Sequence, residues 1–539
     1  MGRGDHFGDM ALLTNQVRPA TVTAVVETQL LELQAERFNR LLICVPGFAA
    51  NLSRALVLRL QAEMTRRRRR ERPTVIALIN STARTQGLIH PLAEALVARG
   101  ESLEVLTDRN DKWAVDGHYL VERIPGELSG AERTARVQAR VRQVVEHHTR
   151  IFLDLSPQAT RDELARVLAP CENIWWLIEP RYAEVTCEKL RLLLAAAPDL
   201  APRVHLVWVL LPSERFPPPP PADLVISTLD FKVTLGDDPS RASWRQRQGI
   251  RRLVHYLRGT RLGVALGGGG ARGLAHLGAL RAFDREEIHF DMVAGTSSGA
   301  LMGLSYAGGW RPDDALEEFA RMLTAPRWVR AVPGGGVSYL WWQYRRDAWN
   351  GMLRPYVGDL TLEQFPLPFF VVAVDLVSGR QVVRERGDAI HAVLESINVP
   401  YLARPIVRDG MALIDGGVLN NLPADVLGER GADFVVGIDV ASKLPAEFAG
   451  VSAKPGGTKR RRAGILETLL RVSEVQIVTA TGARTQSIDV LLTPDTSRFE
   501  FADFSRAKEL AAIGEAAAEE AMPTLKQKLD KLENDPDGI

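Results

Sequence analysis

The chain has 539 residues, 46% hydrophobic and 25% charged, which fits roughly two to four globular domains and excludes a disordered or fibrous protein. Lys plus Arg number 67 against 66 Asp plus Glu, a net charge of +1, so overall charge gives no argument for a nucleic-acid or acidic partner. Three cysteines, Cys44, Cys171 and Cys187, are too few and too scattered for a disulfide framework or a metal cluster, and read as core thiols in a reducing compartment.

The N-terminal residues Met1 to His6 are polar and lack the apolar core of a signal peptide, and His6 stands where a myristoylation motif takes Ser or Thr. The longest apolar runs, such as 204–211, fall short of the ~20 residues that span a bilayer. The expectation is a cytoplasmic protein whose contact with a membrane, if any, is peripheral.

Residues 1–42 suggest a loop at Phe7 to Leu13, a short helix, and closing strands with Val22, Ala24 and Val26 at alternate positions. They resemble the phosphate-binding cassette and last strands of a cyclic-nucleotide-binding domain. The resemblance implies that Asp9, where Glu is usual, holds a ribose hydroxyl and that Arg18 holds the cyclic phosphate. The earlier strands of such a barrel have no counterpart before Met1, so the expectation is a partial β-barrel remnant with a cyclic nucleotide as regulator, not as required cofactor. Residues 43–72 read as a helical, Arg-rich connector. Phe38, Leu41 and Leu42 share one face, as do Leu56, Leu60 and Met64, and Arg66 to Arg70 form a solvated helix end or a contact for anionic headgroups.

Residues 73–255 read as an α/β, Rossmann-like domain. Apolar strands at 74–78, 103–106, 151–155, 174–178 and 204–211 alternate with helical stretches such as 91–99. The turn Asn80 to Gly87 lies where a P-loop would lie but has no Gly-Lys-Ser/Thr. Asp154 could imitate a magnesium-holding aspartate, yet without the lysine an ATPase is disfavoured and a structural or regulatory role preferred. Pro217 to Pro221 reads as a loop or stiff spacer.

Residues 261–441 carry the chemistry. Gly267 to Gly273 follows the apolar run 262–266 and precedes the helical stretch 274–283, a strand-to-helix turn whose backbone N–H groups suit an anion. Gly295-Thr296-Ser297-Ser298-Gly299 fits the G-x-S-x-G nucleophile elbow, with Ser297 exposed on a sharp turn. Trp310, Trp341 and Trp342 read as core residues first and acyl-pocket residues second. Strands 369–374 and 412–414 extend the sheet, the second ending in Asp415-Gly416-Gly417, which by itself could be a plain Asx turn. No histidine follows Asp415, so the order Ser, Asp, His cannot be built on it. His276 and His289 read as packed or surface residues, and His391 has no motif around it. A serine activated directly by Asp415 is the better reading, with burial raising the carboxyl pKa.

At this point the residues resemble a family. Gly268-Gly269-Gly270-Ala271-Arg272-Gly273, the Gly295 to Gly299 elbow and Asp415-Gly416-Gly417 resemble, in order and spacing, the three motifs of patatin-like phospholipases, and the flanking segments resemble the bacterial branch of the neuropathy target esterase family. The resemblance implies a three-layer α/β/α hydrolase domain at 261–441 working by a Ser–Asp dyad, with Ser297 as nucleophile and Asp415 as base. It places the oxyanion hole in the backbone of Gly268, Gly269, Gly270, Ala271, Arg272 and Gly273, requires no metal or cofactor, and makes phospholipid or lysophospholipid esters the substrates. The competing reading is a catalytically inert patatin-fold protein that senses cyclic nucleotide or membrane. Residues 442–539 read as a loop with Lys459 to Arg462 and helices, among them the Ala-rich 511–522, packing on the hydrolase domain and ending in a charged tail.

Overall fold

The computed structural model describes residues 32–45 and 48, then 74–534 except 109–118, 125–129, 145–147, 157–159, 220, 222–223, 225–229, 237–243, 333–334, 347, 442–446, 449–450, 453–463, 466–467, 470, 473–474 and 476–486. The barrel remnant with Asp9 and Arg18, the arginine run 66–70 and the basic loop 459–462 lie outside the described residues.

Two units separate at Arg70. In the first, the helix Ala35–Cys44 buries Phe38, whose ring meets Phe48 edge-on with centroids 5.9 Å apart. Cys44, expected in a core, is exposed at the last position of this helix, whereas Cys171 and Cys187 are buried as expected.

The second unit, from Glu71 onward, contains two large sheets. The first has seven parallel strands: β1 (Val75–Ile79), β2 (Leu103–Thr107), β3 (Leu120–Arg123), β4 (Arg150–Leu155), β5 (Asn173–Ile178), β6 (Val204–Leu210) and β7 (Phe231–Thr234), ordered β3-β2-β4-β1-β5-β6-β7. The inner strands are buried along their whole length, as apolar strands covered on both faces must be. Successive side chains feed opposite cores. Val75, Ala77 and Ile79 join one cluster and Ile76 and Leu78 the other. Asp154 at the end of β4 is fully buried and is held by Asn80 (2.7 Å), Thr107 (2.7 Å) and Gln86 (3.3 Å). The helix Trp244–Arg258 packs Leu253, Val254 and Leu257 on this sheet and leads into the second one.

The second sheet is mixed. Its strands are β8 (Leu262–Leu266), β9 (Met292–Thr296), β10 (Phe369–Asp375), β11 (Arg380–Arg384), β12 (Ile406–Arg408), β13 (Met411–Asp415) and β14 (Phe434–Ile438). After a two-residue ribbon of β15 (Glu447–Phe448) and β16 (Val451–Ser452), β17 (Val490–Leu492) completes the order β12-β13-β10-β9-β8-β14-β17, with β11 paired to β10. Strands β8, β9, β10, β14 and β17 are parallel, while β13 and β11 run antiparallel to β10. This is the α/β sheet expected from the sequence. On one face it buries the loop helix Leu274–Arg285, the nucleophile helix Ser298–Ala307 and the helix Ala389–Ser396. On the other it buries the helix Ala424–Glu429.

The C-terminal helix extends from Ala507 to Asn534, well past the Ala-rich stretch, because Leu525, Leu529 and Leu532 keep an apolar face on the core. Trp310 packs against the core, but Trp341 and Trp342 do not. On the helix Gly335–Arg345 they fall away from the inward Leu340, and both are exposed. Among the described residues no helix is long and apolar enough to cross a membrane.

Candidate active site

Three turns at the sheet's end converge on Ser297. Strand β9 ends at Thr296, and the nucleophile helix starts at Ser298, so Ser297 makes the whole turn. Its φ of 54° and ψ of −125° lie in a region that a residue with a Cβ seldom adopts. Two contacts hold the strained residue. Its N–H donates to Ser396 Oγ at 2.9 Å, and Ser396 Oγ donates to the Val372 carbonyl at 2.5 Å.

Sheet register brings the carboxylate to the same place. Thr296 pairs with Val372 of β10, and Asp415 of β13 pairs with the next β10 residue, Ala373. One strand therefore separates the serine and the aspartate, and the chain after Asp415 must fold back over it. Gly416 makes that possible, since a Cβ there would stand 2.3 Å from the Val372 carbonyl oxygen and 3.0 Å from Thr296 Cγ2. The result is a hydrogen bond of 2.6 Å from Ser297 Oγ to Asp415 Oδ2. The other carboxylate oxygen accepts the Gly417 N–H at 2.7 Å, so the side chain cannot rotate away. The Asp415 N–H donates to Asn398 O at 3.0 Å, and Asn398 Nδ2 donates to Leu413 O and Arg404 O at 3.0 and 2.9 Å.

Burial dominates the electrostatics. It pushes the Asp415 carboxyl up to about 6 although the bonds from Ser297 and Gly417 favour the ionised form. Among the described residues no cation offsets it. A carboxylate with a pKa in this range is charged at neutral pH yet basic enough to accept a proton. Tyr344 adds a neutral neighbour. Its hydroxyl donates to Ile397 O at 2.5 Å, and burial followed by the Asp415 charge raises its pKa.

The glycine loop crosses directly over the nucleophile. A Cβ on Gly268 would lie 2.8 Å from Ser297 Cβ and 2.6 Å from Asn421 Oδ1, so only glycine allows this approach. The loop is pinned from several sides. The N–H groups of Gly268, Ala271 and Arg272 donate to Asn421 O, Phe501 O and Gly269 O at 3.1, 2.8 and 3.2 Å. Gly269 N–H donates to Ser298 Oγ at 2.9 Å, Gly270 has a φ of 60° against Phe501, and Gly273 packs on Ser298. Buried Arg272 donates from Nε to Phe499 O at 3.1 Å. Of the six loop residues singled out in the sequence, Gly268 approaches Ser297 itself, Gly269 and Gly273 approach Ser298, and Gly270, Ala271 and Arg272 are tied to Phe499 and Phe501, all of them leading into the N-terminus of the loop helix.

The three histidines weighed as bases lie elsewhere. His276 is buried with Nε2 2.7 Å from Gly267 O, and burial pushes its pKa down to about 4, so it stays neutral. His289 lies 3.8 Å from Asp284, and His391 stands half-exposed 3.9 Å from Asp388. Among the described residues no group of three or more His, Cys, Asp or Glu could hold a metal ion.

Reading the sequence missed Ser396, Asn398, Asn421 and Tyr344 as parts of this site. Asn421 follows the Asp-Gly-Gly turn closely in the chain, but the other three belong to no local motif: Ser396 and Asn398 reach the site by bonds to β10 and β13, and Tyr344 by its bond to Ile397 O.

The chain is similar to several known proteins. Residues 264–427 match the family profile described as Patatin-like phospholipase, and residues 1–43 match that of the Cyclic nucleotide-binding domain. An uncharacterized NTE family protein of Mycobacterium tuberculosis is 25% identical over 543 residues, covering 97% of this chain and 85% of its own length. Neuropathy target esterase sws of Drosophila melanogaster is 32% identical over 198 residues, 36% of this chain and 14% of that protein. Among solved structures, human GIVD cytosolic phospholipase A2 aligns with a TM-score of 0.28 and 12% identity, over 52% of this chain and 61% of that one.

Proposed function

We propose that this chain, a lipid hydrolase by its patatin-like phospholipase domain, cleaves carboxylic esters of phospholipids or lysophospholipids through an acyl-enzyme on Ser297, with Asp415 as the only base. The observation that carries this reading is the 2.6 Å bond between Ser297 Oγ and Asp415 Oδ2, with no histidine in between.

In the first half-reaction Asp415 Oδ2 takes the Ser297 proton as Oγ bonds to the ester carbonyl carbon. The tetrahedral oxyanion then needs donors. Of the loop amides, that of Gly269 is held by the rotatable Ser298 hydroxyl and not by a fixed carbonyl. A substrate oxygen can therefore capture it by displacing that hydroxyl, with the loop helix N-terminus adding a favourable dipole. The protonated Asp415 next gives its proton to the leaving alcohol, a lysolipid or glycerophospho group. In the second half-reaction water attacks the acyl carbonyl, Asp415 accepts its proton, and Ser297 Oγ leaves with that proton restored. A carboxyl raised to about 6 suits both directions of transfer.

The experiment is fatty-acid release from ester lipids by the wild type and by Ser297→Ala. Loss of release in the variant supports the reading, and equal release by both defeats it. Such a substrate implies a peripheral encounter with a membrane. Regulation by a cyclic nucleotide is a separate proposal, supported by the match of residues 1–43. Saturable binding of cyclic AMP or cyclic GMP to the full chain, lost in Arg18→Ala, tests it.

A further inference from the structure

The segment 325–346 has an unusual composition. It holds four arginines, three tryptophans and two tyrosines, and neither Asp nor Glu. Its structure is equally one-sided. In the helix Gly335–Arg345, Leu340 and Gln343 are buried and Tyr344 packs on the core, while Ser338, Trp341 and Trp342 point outward. The outward positions are three and four apart, a single stripe along the helix. A helix on a protein surface ordinarily turns its polar side to solvent. Here the outward stripe carries two indoles, 40% and 41% exposed.

The preceding turn adds to the same composition. Trp328 is 76% exposed and Val332 57%, flanked by exposed Arg327 and Arg330. Trp342 is fixed in place, stacked on Tyr339 with centroids 5.9 Å apart and covered by the Arg346 guanidinium 4.3 Å from its ring. The helix is also tied to the chemistry. Tyr344, on its inner side, donates to Ile397 O and feels the Asp415 charge.

We infer that the outer face of 327–346, led by Trp328, Trp341 and Trp342 with Arg327, Arg330 and Arg346, docks the protein on an anionic phospholipid surface over the active site. Indoles settle at the boundary between headgroups and acyl chains because they pair an apolar body with one N–H donor. Guanidinium groups are drawn to phosphate and carboxylate headgroups, and no acidic residue in the segment opposes that attraction. The inference rests on the lipid-ester reading above and names the face that meets the lipid.

The test uses the full chain in two formats. Sedimentation of Ser297→Ala with intact vesicles, one set of phosphatidylcholine alone and one with added phosphatidylserine, reads binding without turnover. Hydrolysis of a short-chain, fully dissolved ester by the Ser297-competent protein reads chemistry without a surface. We expect tighter binding to the phosphatidylserine vesicles and weakening with salt, each arginine contributing about fivefold. The triple variant W328A/W341A/W342A should lose about tenfold or more in vesicle binding and in turnover of vesicle lipid. It should keep hydrolysis of the dissolved ester within about twofold, with an unchanged melting profile. R327Q/R330Q should lose the anionic preference while keeping its fold. Vesicle binding by the tryptophan variant equal to that of the parent would overturn the inference. So would a dimer in the parent that the variant breaks, because the face would then be a self-association surface. Absence of ester hydrolysis by every form would instead defeat the hydrolase reading and leave the binding result standing.

Discussion

Replacing Asp415 by Asn should remove the base and, at neutral pH, stabilise the fold. The magnitude follows from the site. The carboxyl is buried, and desolvation raises it from 3.8 to about 6 against the bonds from Ser297 and Gly417. A shift of about two units corresponds to about 3 kcal/mol between the protonated and ionised forms. The sign is set by which state holds the proton more tightly. The folded value exceeds the unfolded one, so between about pH 4 and pH 6 the folded protein binds more protons, and its stability falls as pH rises through that window. Below the window both states are protonated, and above it the whole penalty is present. Asn cannot ionise. With Oδ1 still accepting the Gly417 N–H, its amide nitrogen would donate to Ser297 Oγ, so packing survives. We expect the variant to gain about 3 kcal/mol over wild type between about pH 4 and pH 7.5, while kcat falls about 1000-fold or more. Unfolding followed at both pH values, with a kcat/KM profile for wild type rising through an apparent pKa near 6, checks both halves. A flat wild-type profile across that window, or an Asn variant within tenfold of wild-type kcat, would refute the reasoning.

Other outcomes follow from the same geometry. Gly268→Ala would set a methyl 2.8 Å from Ser297 Cβ, so kcat should drop about 100-fold or more while circular dichroism stays native, because the backbone must shift at the reacting atom. Ser396→Ala leaves the buried Ser297 N–H without its acceptor, which should cost about 1–3 kcal/mol in thermal unfolding and lower kcat about tenfold with KM little changed. His391→Ala should keep wild-type turnover, since its ring stands 3.9 Å from Asp388 at a half-exposed position; a large loss in an ester assay would revive a histidine base. A covalent serine-hydrolase probe should add one label at Ser297, read by peptide mass, and none in Ser297→Ala.

What could be read from the sequence was whatever is local in the chain. The glycine loop, the elbow and the Asp-Gly-Gly turn each carry their chemistry within a few consecutive residues, and alternation of apolar strands with helices marks both sheets. That no histidine follows Asp415 pointed to a carboxylate base. Ser396, Asn398 and Tyr344 could not be read this way. Ser396 and Asn398 reach the pair by bonding to β10 and β13, and Tyr344 by bonding to Ile397 O, long-range contacts that no local pattern encodes. Trp341 and Trp342 were misplaced in the core for a related reason. Large aromatic residues are usually buried, and only the side of the helix taken by Leu340 and Tyr344 decides otherwise. The length of the C-terminal helix was understated because its charged end reads as a tail until Leu525 and Leu532 are seen on the core.

The most direct test is a substrate panel of a lysophospholipid, a diacyl phospholipid and a neutral glyceride, each incubated with wild type and with Ser297→Ala while free fatty acid is measured. The account predicts release from at least one phospholipid class by wild type and none above background by Ser297→Ala. Release that persists in Ser297→Ala would contradict the central claim that the bond between Ser297 and Asp415 is the reacting pair.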